Sequence, residues 1–270
     1  MYLGIKVGPD NWREKLLNGL SVGHVEIYHD FDLDDDYAPL YAWLRANGVR
    51  GRLHASSSLP GEVMATLGTP DVEVREASIA LTKRTIDVAA ENGLDGVVVH
   101  SGSYLVPRLN EGRVEVIGPD TSSEEGRRWL REALAELADY GRARGVEPLI
   151  ENMPGYEFAG YGPMDRSYGV DVRFVTVQTL CELGEAGFSL CVDLAHLYTE
   201  LMVAQRANGL HGSVREAVAQ LAPYARHVHL STVTPPWNGT DGHSGFLESD
   251  YALGAIPERA RLLALLEPFA

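Results

Sequence analysis

The chain has 270 residues, of which 45% are hydrophobic and 23% are charged, an ordinary composition for a globular protein. Its 38 acidic residues outnumber 23 basic ones, so the formal net charge is −15. Broad adhesion to nucleic acid or to an anionic membrane needs a positive field, and this charge therefore disfavours both classes of partner while leaving a local basic groove possible.

Short apolar segments rich in β-branched residues alternate along the chain with longer amphipathic ones. The predicted strands are residues 2–7, 24–28, 50–55, 96–100, 147–152, 188–193 and 225–231. The predicted helices are residues 11–18, 36–47, 72–92, 123–144, 171–184 and 214–221. Strands that alternate with helices indicate βαβ units and a parallel sheet. Units of about 30–35 residues favour a (β/α)₈ TIM barrel, an α/β fold, over an open sheet.

We expect residues 1–270 to form a single TIM-barrel domain whose eighth strand is short or missing at the C-terminus. After a helical stretch at 256–266 only Glu267-Pro268-Phe269-Ala270 remain. An unclosed barrel exposes two sheet edges, which proteins usually avoid. Either the natural chain continues into an eighth strand, which we favour, or residues 262–269 serve as that strand and bring Glu267 to the barrel.

The absence of a membrane-span pattern and of a signal-peptide pattern, together with the low cysteine count, indicates a cytoplasmic location. No apolar run reaches the roughly 18 residues that a membrane span requires, and residues 1–10 lack a basic region followed by an apolar core. Cys181 and Cys191 are expected to be thiols in a reducing environment. We therefore expect a cytoplasmic protein with no membrane partner; the oligomeric state is left open.

Imidazoles and carboxylates recur where predicted strands end and in the loop after the seventh strand. These residues are His54, His100, Glu151, Asp193, His196, His229, Asp241 and His243. The carboxyl ends of the strands form the active-site face of a TIM barrel. Buried charges are costly unless they are paired or bound to metal, and histidines with carboxylates suit zinc, manganese or iron better than magnesium. The sequence therefore predicts a divalent metal centre of one to three ions.

Side-chain alternation separates the two histidines of the seventh strand. His227 and His229 point to the same side, and His229 is nearer to the carboxyl end of the strand. His229 is therefore the preferred ligand, and His227 a supporting or core histidine. Glu26, on the second strand, could orient one of the ligands.

The ordered set of strand-end motifs resembles the xylose isomerase-like TIM-barrel superfamily over nearly the whole chain. The motifs are Leu53-His54, Val99-His100-Ser101-Gly102-Ser103, Ile150-Glu151-Asn152, Cys191-Val192-Asp193-Leu194-Ala195-His196, His227-Val228-His229 and Asp241-Gly242-His243. This superfamily contains sugar isomerases and epimerases alongside the endonuclease IV group of apurinic-site nucleases.

The two branches imply different metal sites. The endonuclease IV pattern implies three ions. The first would be held by His54, His100 and a bridging Glu151, and the second by Glu151, Asp193, His229 and a glutamate of the eighth strand. The third would be held by His196, Asp241 and His243. The sugar-epimerase pattern implies one metal on Glu151, Asp193, His229 and the same glutamate, with His196 near the substrate hydroxyls. The eighth-strand glutamate has no counterpart in this chain unless Glu267 fills the position.

We predict a metal-dependent isomerase or epimerase acting on a sugar or polyol. Residues 55–61 contain no basic or aromatic side chain and residues 153–170 contain one arginine, Arg166, which is typical of a lid over a small polar molecule. Glu151 would be the general base and His196 would orient a substrate oxygen, while Asn152 and Trp237 would contact the substrate. Two alternatives stay open: a multi-zinc phosphodiesterase resembling endonuclease IV, for which nucleic acid would be the substrate, and a barrel that binds metal or sugar without turnover.

Overall fold

The computed structural model describes residues 4–17, 22–29, 31, 34–110, 113–153, 173–205, 210–231 and 264–269. In chain order its strands are β1 (Gly4–Val7), β2 (His24–Tyr28), β3 (Arg50–His54), β4 (Ser58–Leu59), β5 (Val63–Met64), β6 (Gly96–His100), β7 (Val106–Asn110), β8 (Arg113–Ile117), β9 (Glu147–Glu151), β10 (Ser189–Asp193) and β11 (Ala225–His229). Its helices are α1 (Trp12–Leu17), α2 (Asp34–Asn47), α3 (Val72–Glu91), α4 (Ser123–Arg142), α5 (Val177–Glu185), α6 (Leu194–Gln205) and α7 (Leu210–Leu221).

Seven of these strands form one parallel sheet in the order β1-β2-β3-β6-β9-β10-β11. The first and last residues of each of these seven strands agree with those of a predicted strand to within two residues. Helices follow the strands, and the helices and the outer face of the sheet enclose the main hydrophobic core. The prediction of an α/β barrel is confirmed.

The sheet is strongly curled, as a contact between distant strands shows. Glu26 of β2 lies 2.6 Å from His229 of β11, measured from Oε2 to Nε2. In a flat sheet five strand spacings would separate these two strands by about 24 Å. The curl therefore brings the edge strands β1 and β11 toward each other, and the inner face becomes a barrel interior.

The register places the strand-end polar residues on this inner face. His100 pairs with Glu151, and Asp193 pairs with His229. Below them Val98, Leu149 and Cys191 form a small buried apolar cluster that is separate from the main core. The barrel interior thus has an apolar floor beneath a polar upper layer.

Two helix predictions are wrong. Helix α6 was not predicted, and α5 begins at Val177 rather than at residue 171. The start of α5 has a local cause, since the Thr176 side chain accepts a hydrogen bond from the backbone N–H of Thr179 and caps the helix.

A second, antiparallel sheet was not predicted either. Its order is β4-β5-β7-β8, and it is built from the segments that follow β3 and β6. Met64 and Val114, of β5 and β8, pack against Met153 and Phe174. The segment after His54, predicted to be a simple loop, therefore contributes to a folded layer.

Glu267 does not lie on an eighth strand. Glu267–Phe269 form a 3₁₀ helix in which the Glu267 side chain is exposed. Short 3₁₀ turns leave no extended edge that could pair with β1 or β11, so the prediction that Glu267 could supply the missing ligand is wrong. None of the helices in the described ranges is long and apolar enough to cross a bilayer.

Candidate metal centre

Glu151, the last residue of β9, lies at the centre of the polar layer and is fully buried. Its Oε2 lies 3.1 Å from Nε2 of His54 and 3.1 Å from Nε2 of His100. Its Oε1 lies 2.6 Å from Nδ1 of His229. The two oxygens therefore face two different groups of donors.

A backbone carbonyl orients the ring of His54. Its Nδ1 lies 2.8 Å from the carbonyl oxygen of Ala55, which can only accept, so Nδ1 carries a hydrogen. Burial lowers the pKa of His54, against the smaller opposing effect of Glu151. The second ring nitrogen, Nε2, is therefore the one that faces the carboxylate of Glu151.

Asp193 connects β10 to α6 and positions His196. Its Oδ1 accepts the backbone N–H of His196 at 2.9 Å, and this bond caps the start of the helix. His196 in turn directs Nδ1 to the carbonyl oxygen of Asn152 at 2.6 Å. The other Asp193 oxygen, Oδ2, lies 3.2 Å from Nδ1 of His229.

Three carboxylates are buried at the centre. Glu26, Glu151 and Asp193 are each at most 3% exposed. Burial alone would raise the pKa of Glu151, but the adjacent His229 and His100 hold it well below its ordinary value. Burial likewise opposes ionisation of Asp193, and His196 and His229 outweigh it and lower its pKa. Three carboxylates that stay ionised in a buried site fit a bound cation.

The donor atoms form groups suited to a divalent ion. One group consists of His54, His100 and Glu151, and another of Glu151, Asp193 and His196; within each group one atom per residue lies within 4.8 Å of the others. Imidazole nitrogens and carboxylate oxygens are the ligands that zinc, manganese and iron accept. The residues present therefore fit a metal centre with Glu151 shared between two groups.

The structure brings together six of the residues predicted from the sequence: His54, His100, Glu151, Asp193, His196 and His229. Asp241, His243 and Trp237 lie outside the described residues, so their roles stay predictions. Asn152 is 1% exposed, and its side chain bonds to the backbone N–H and carbonyl of Asp193 at 2.7 and 3.0 Å. These contacts fix β9 to β10, and substrate contact by Asn152 stays a prediction.

Lys6 was missed by the sequence reasoning. It lies opposite Glu26 in the β1–β2 register, and its Nζ lies 3.2 Å from Oε1 of Glu26. The sequence could have predicted this contact, since side-chain alternation in the first two strands puts Lys6 and Glu26 on the same face of the sheet. A cavity of about 690 Å³ lies along the edge strands, and its walls include Lys6, Glu26, His227 and His229.

Sequence comparison finds one family and one distant relative. A family model for the xylose isomerase-like TIM barrel matches residues 18–254. A probable endonuclease 4 from Haloarcula marismortui is 25% identical over 173 residues, which is 64% of this chain and 51% of that protein. The chain thus spans about half the length of that relative.

Solved structures share the fold at low identity. A D-tagatose 3-epimerase-like protein is 18% identical with a TM-score of 0.64, over 99% of this chain and 86% of that one. Endonuclease IV from Thermus thermophilus is 18% identical with a TM-score of 0.57, over 99% and 87%. D-allulose 3-epimerase from Methylomonas sp. is 17% identical with a TM-score of 0.56, over 99% and 81%. Since the family model covers most of the chain, the protein belongs to the xylose isomerase-like TIM-barrel family.

Proposed function

We propose that the protein is a metal-dependent isomerase or epimerase that acts on a sugar or polyol, with Glu151 as metal ligand and general base. The observation that carries this proposal is the two-sided environment of Glu151. Its Oε1 lies beside His229, which also contacts Asp193, and we assign one ion to these three residues. Its Oε2 faces His54 and His100, and we assign to this oxygen the role of accepting a substrate proton.

The chain's own residues account for the proton transfer. A bound divalent ion would polarise a carbonyl and a hydroxyl of the substrate and so acidify the adjacent C–H bond. Glu151 would take that proton and return it to the neighbouring carbon in an isomerisation, while the substrate's hydroxyl proton moves to the former carbonyl oxygen. The apolar floor of Val98, Leu149 and Cys191 closes the barrel below Glu151 and keeps bulk water from that side.

The charge around the barrel rim supports a small, uncharged substrate. Arg108 is paired with Glu115 at 2.8 Å, and Arg173 is paired with Asp120 at 2.8 Å. Arginines that are paired with carboxylates bind a phosphate backbone only weakly. The net charge of −15 also opposes long-range attraction of DNA. The names of two structural neighbours, a D-tagatose 3-epimerase-like protein and a D-allulose 3-epimerase, suggest ketohexoses as the first substrates to test.

Hydrogen exchange with solvent tests the proposal. The protein loaded with Mn²⁺, Zn²⁺ or Co²⁺ would be incubated in D₂O with a panel of ketohexoses, ketopentoses and the corresponding aldoses. We expect deuterium at a carbon next to the carbonyl of at least one sugar, detected by NMR. Glu151→Gln should lower the exchange rate by about 10²–10⁴-fold, the usual contribution of a general base.

A matched control is Glu216→Gln, which removes one charge from an exposed position on α7 and should leave exchange unchanged. The proposal would be overturned if the loaded wild-type protein exchanges no proton of any sugar in the panel. Exchange that Glu151→Gln leaves intact would remove Glu151 as the base.

A phosphodiesterase is the second candidate, and the group of His54, His100 and Glu151 is the observation that favours it. If both donor groups hold ions, Glu151 bridges them and has no oxygen left to act as a base; paired ions suit phosphate-ester hydrolysis. His100→Ala should then lower the metal content by one ion per chain, measured by elemental analysis. A content near three zinc ions, together with nicking of abasic-site DNA, would establish this reading over the isomerase.

A further inference from the structure

Glu26 is a carboxylate inside the barrel that the proposed reaction does not use. It is 3% exposed, and donors from two other strands surround it. Its Oε2 lies 2.6 Å from Nε2 of His229 and 2.7 Å from Nε2 of His227, while Oε1 lies 3.2 Å from Nζ of Lys6.

The two ring nitrogens of His229 face different carboxylates. Nδ1 lies 2.6 Å from Glu151 and 3.2 Å from Asp193, whereas Nε2 lies against Glu26. A neutral imidazole has one N–H and one lone pair, so it can ligate an ion through one nitrogen while the other donates a hydrogen bond. The side of the ring that faces Glu151 and Asp193 is the side on which an ion would be held.

We propose that Glu26 is a positioning residue, which accepts the Nε2–H of His229 and thereby leaves the Nδ1 lone pair for the metal, and that Lys6 balances the charge of Glu26. The inference rests on the proposed function in one respect, that an ion binds between Glu151, Asp193 and His229. A carboxylate on the far nitrogen of a metal-ligating histidine fixes the ring and strengthens its binding; loss of such a partner typically costs 10–100-fold in metal affinity.

Lys6 and His227 hold the carboxylate of Glu26 in position beside His229. Lys6 lies opposite Glu26 in the β1–β2 register and is 45% exposed, so it supplies charge from the cavity side of the carboxylate. His227 bonds to the same Oε2 from a position two residues before His229, on the same face of β11. The carboxylate plane is therefore fixed by two strands, and Glu26 presents one oxygen to the imidazole of His229.

The hydrogen position on His229 can be observed in the wild-type protein. We expect the ¹⁵N-histidine NMR spectrum of the Zn²⁺-loaded protein to show His229 with Nε2 protonated and Nδ1 shifted by the metal. The signal would be assigned by its loss in His229→Gln. A spectrum in which His229 carries its proton on Nδ1 and ligates through Nε2 would overturn the proposal.

Metal affinity gives an independent measurement. Competition with a chromophoric chelator would give the Kd for Zn²⁺ in the absence of substrate. We expect Glu26→Gln to raise the Kd by about 10–100-fold and Glu216→Gln to leave it within about twofold, since that side chain is exposed on α7. Lys6→Met removes a nearby positive charge and keeps Glu26 in place, so it should not raise the Kd.

The outcomes separate this inference from the proposed function. A folded Glu26→Gln variant with the wild-type Kd would overturn the role of Glu26 and leave the proposed enzyme intact. A wild-type protein that binds neither Zn²⁺ nor Mn²⁺ would overturn the metal centre itself. If Glu26→Gln does not fold, the wild-type spectrum decides the question.

Discussion

Glu200 is a single side chain whose ionisation is controlled by burial. It lies on α6, one turn after His196, and its Oε1 accepts the backbone N–H of Val177 at 3.4 Å. Its Oε2 is buried without a hydrogen-bond partner in the described part of the chain. Burial raises the pKa of Glu200 to about 7, against the smaller opposing effects of the Val177 N–H and His196.

This pKa predicts how stability depends on pH. Because the folded-state pKa of about 7 exceeds the ordinary value of 4.5, the folded state binds more protons between these values. The free energy of unfolding should therefore fall as pH rises from about 4.5 to about 7, by at most about 3 kcal/mol. Glu200→Gln should match the wild type at pH 5 and exceed its stability at pH 8, measured by urea unfolding. The control Glu216→Gln should change neither value, and a Glu200→Gln variant that is less stable at pH 8 would contradict the argument.

Several strand-end residues could be identified from the sequence because each one ends a short segment with apolar residues just before it. That pattern specifies the strand, the face and the end for residues such as His54, His100 and Glu151. It does not specify which nitrogen of His229 faces which carboxylate. The contact of Glu26 with His229 spans 203 positions in the sequence and depends on the curl of the whole sheet.

Helix α6 and the small antiparallel sheet were not predicted from the sequence, and the physical reasons differ. α6 begins directly after Asp193, the last residue of β10, and its first residues, including Leu194 and Tyr198, are buried, so it has no amphipathic stripe there. β4 and β5 have two residues each, too few to show a period. β7 and β8 flank Glu111-Gly112, a turn signal that could have predicted their pairing.

Helix α5 packs through a glycine against the 3₁₀ turn Ala222–Tyr224, and this contact gives a prediction about stability. A Cβ on Gly184 would lie 2.2 Å from Cγ of Tyr224, in the 3₁₀ turn that precedes β11. Alanine normally stabilises a helix interior by up to about 1 kcal/mol relative to glycine, but overpacking costs about 1–3 kcal/mol. Cγ of Tyr224 is bonded to Cβ and cannot move away unless the backbone of Tyr224 also moves. We therefore expect Gly184→Ala to lower the free energy of unfolding by about 1–2 kcal/mol.

Chemical denaturation would measure this change. Gln178→Ala, at an exposed position of the same helix, is the control and should stay within about 0.5 kcal/mol of the wild type. A Gly184→Ala variant more stable than the wild type would show that helix propensity outweighs the contact with Tyr224.

For the whole molecule, the metal centre joins parts of the chain that are distant in sequence. Its candidate ligands come from β3, β6, β9, β10, β11 and α6, and part of the net charge of −15 lies inside the barrel as Glu26, Glu151 and Asp193. The unfolded chain cannot gather these donors. A cation that binds the folded state alone must therefore stabilise the entire barrel.

This linkage predicts a shift in the melting temperature. Binding at a free ion concentration of 100 times Kd adds about 2.7 kcal/mol, and in a chain of this length 1 kcal/mol corresponds to about 2–4 °C. We expect Zn²⁺ to raise the Tm of EDTA-treated protein by about 5–10 °C, measured by circular dichroism. Asp193→Asn should abolish most of the shift, because it removes the charge that faces Nδ1 of His229, whereas Glu216→Gln should keep it. Equal Tm values with EDTA and with Zn²⁺ would mean that the buried carboxylates are balanced by His229 and Lys6 alone.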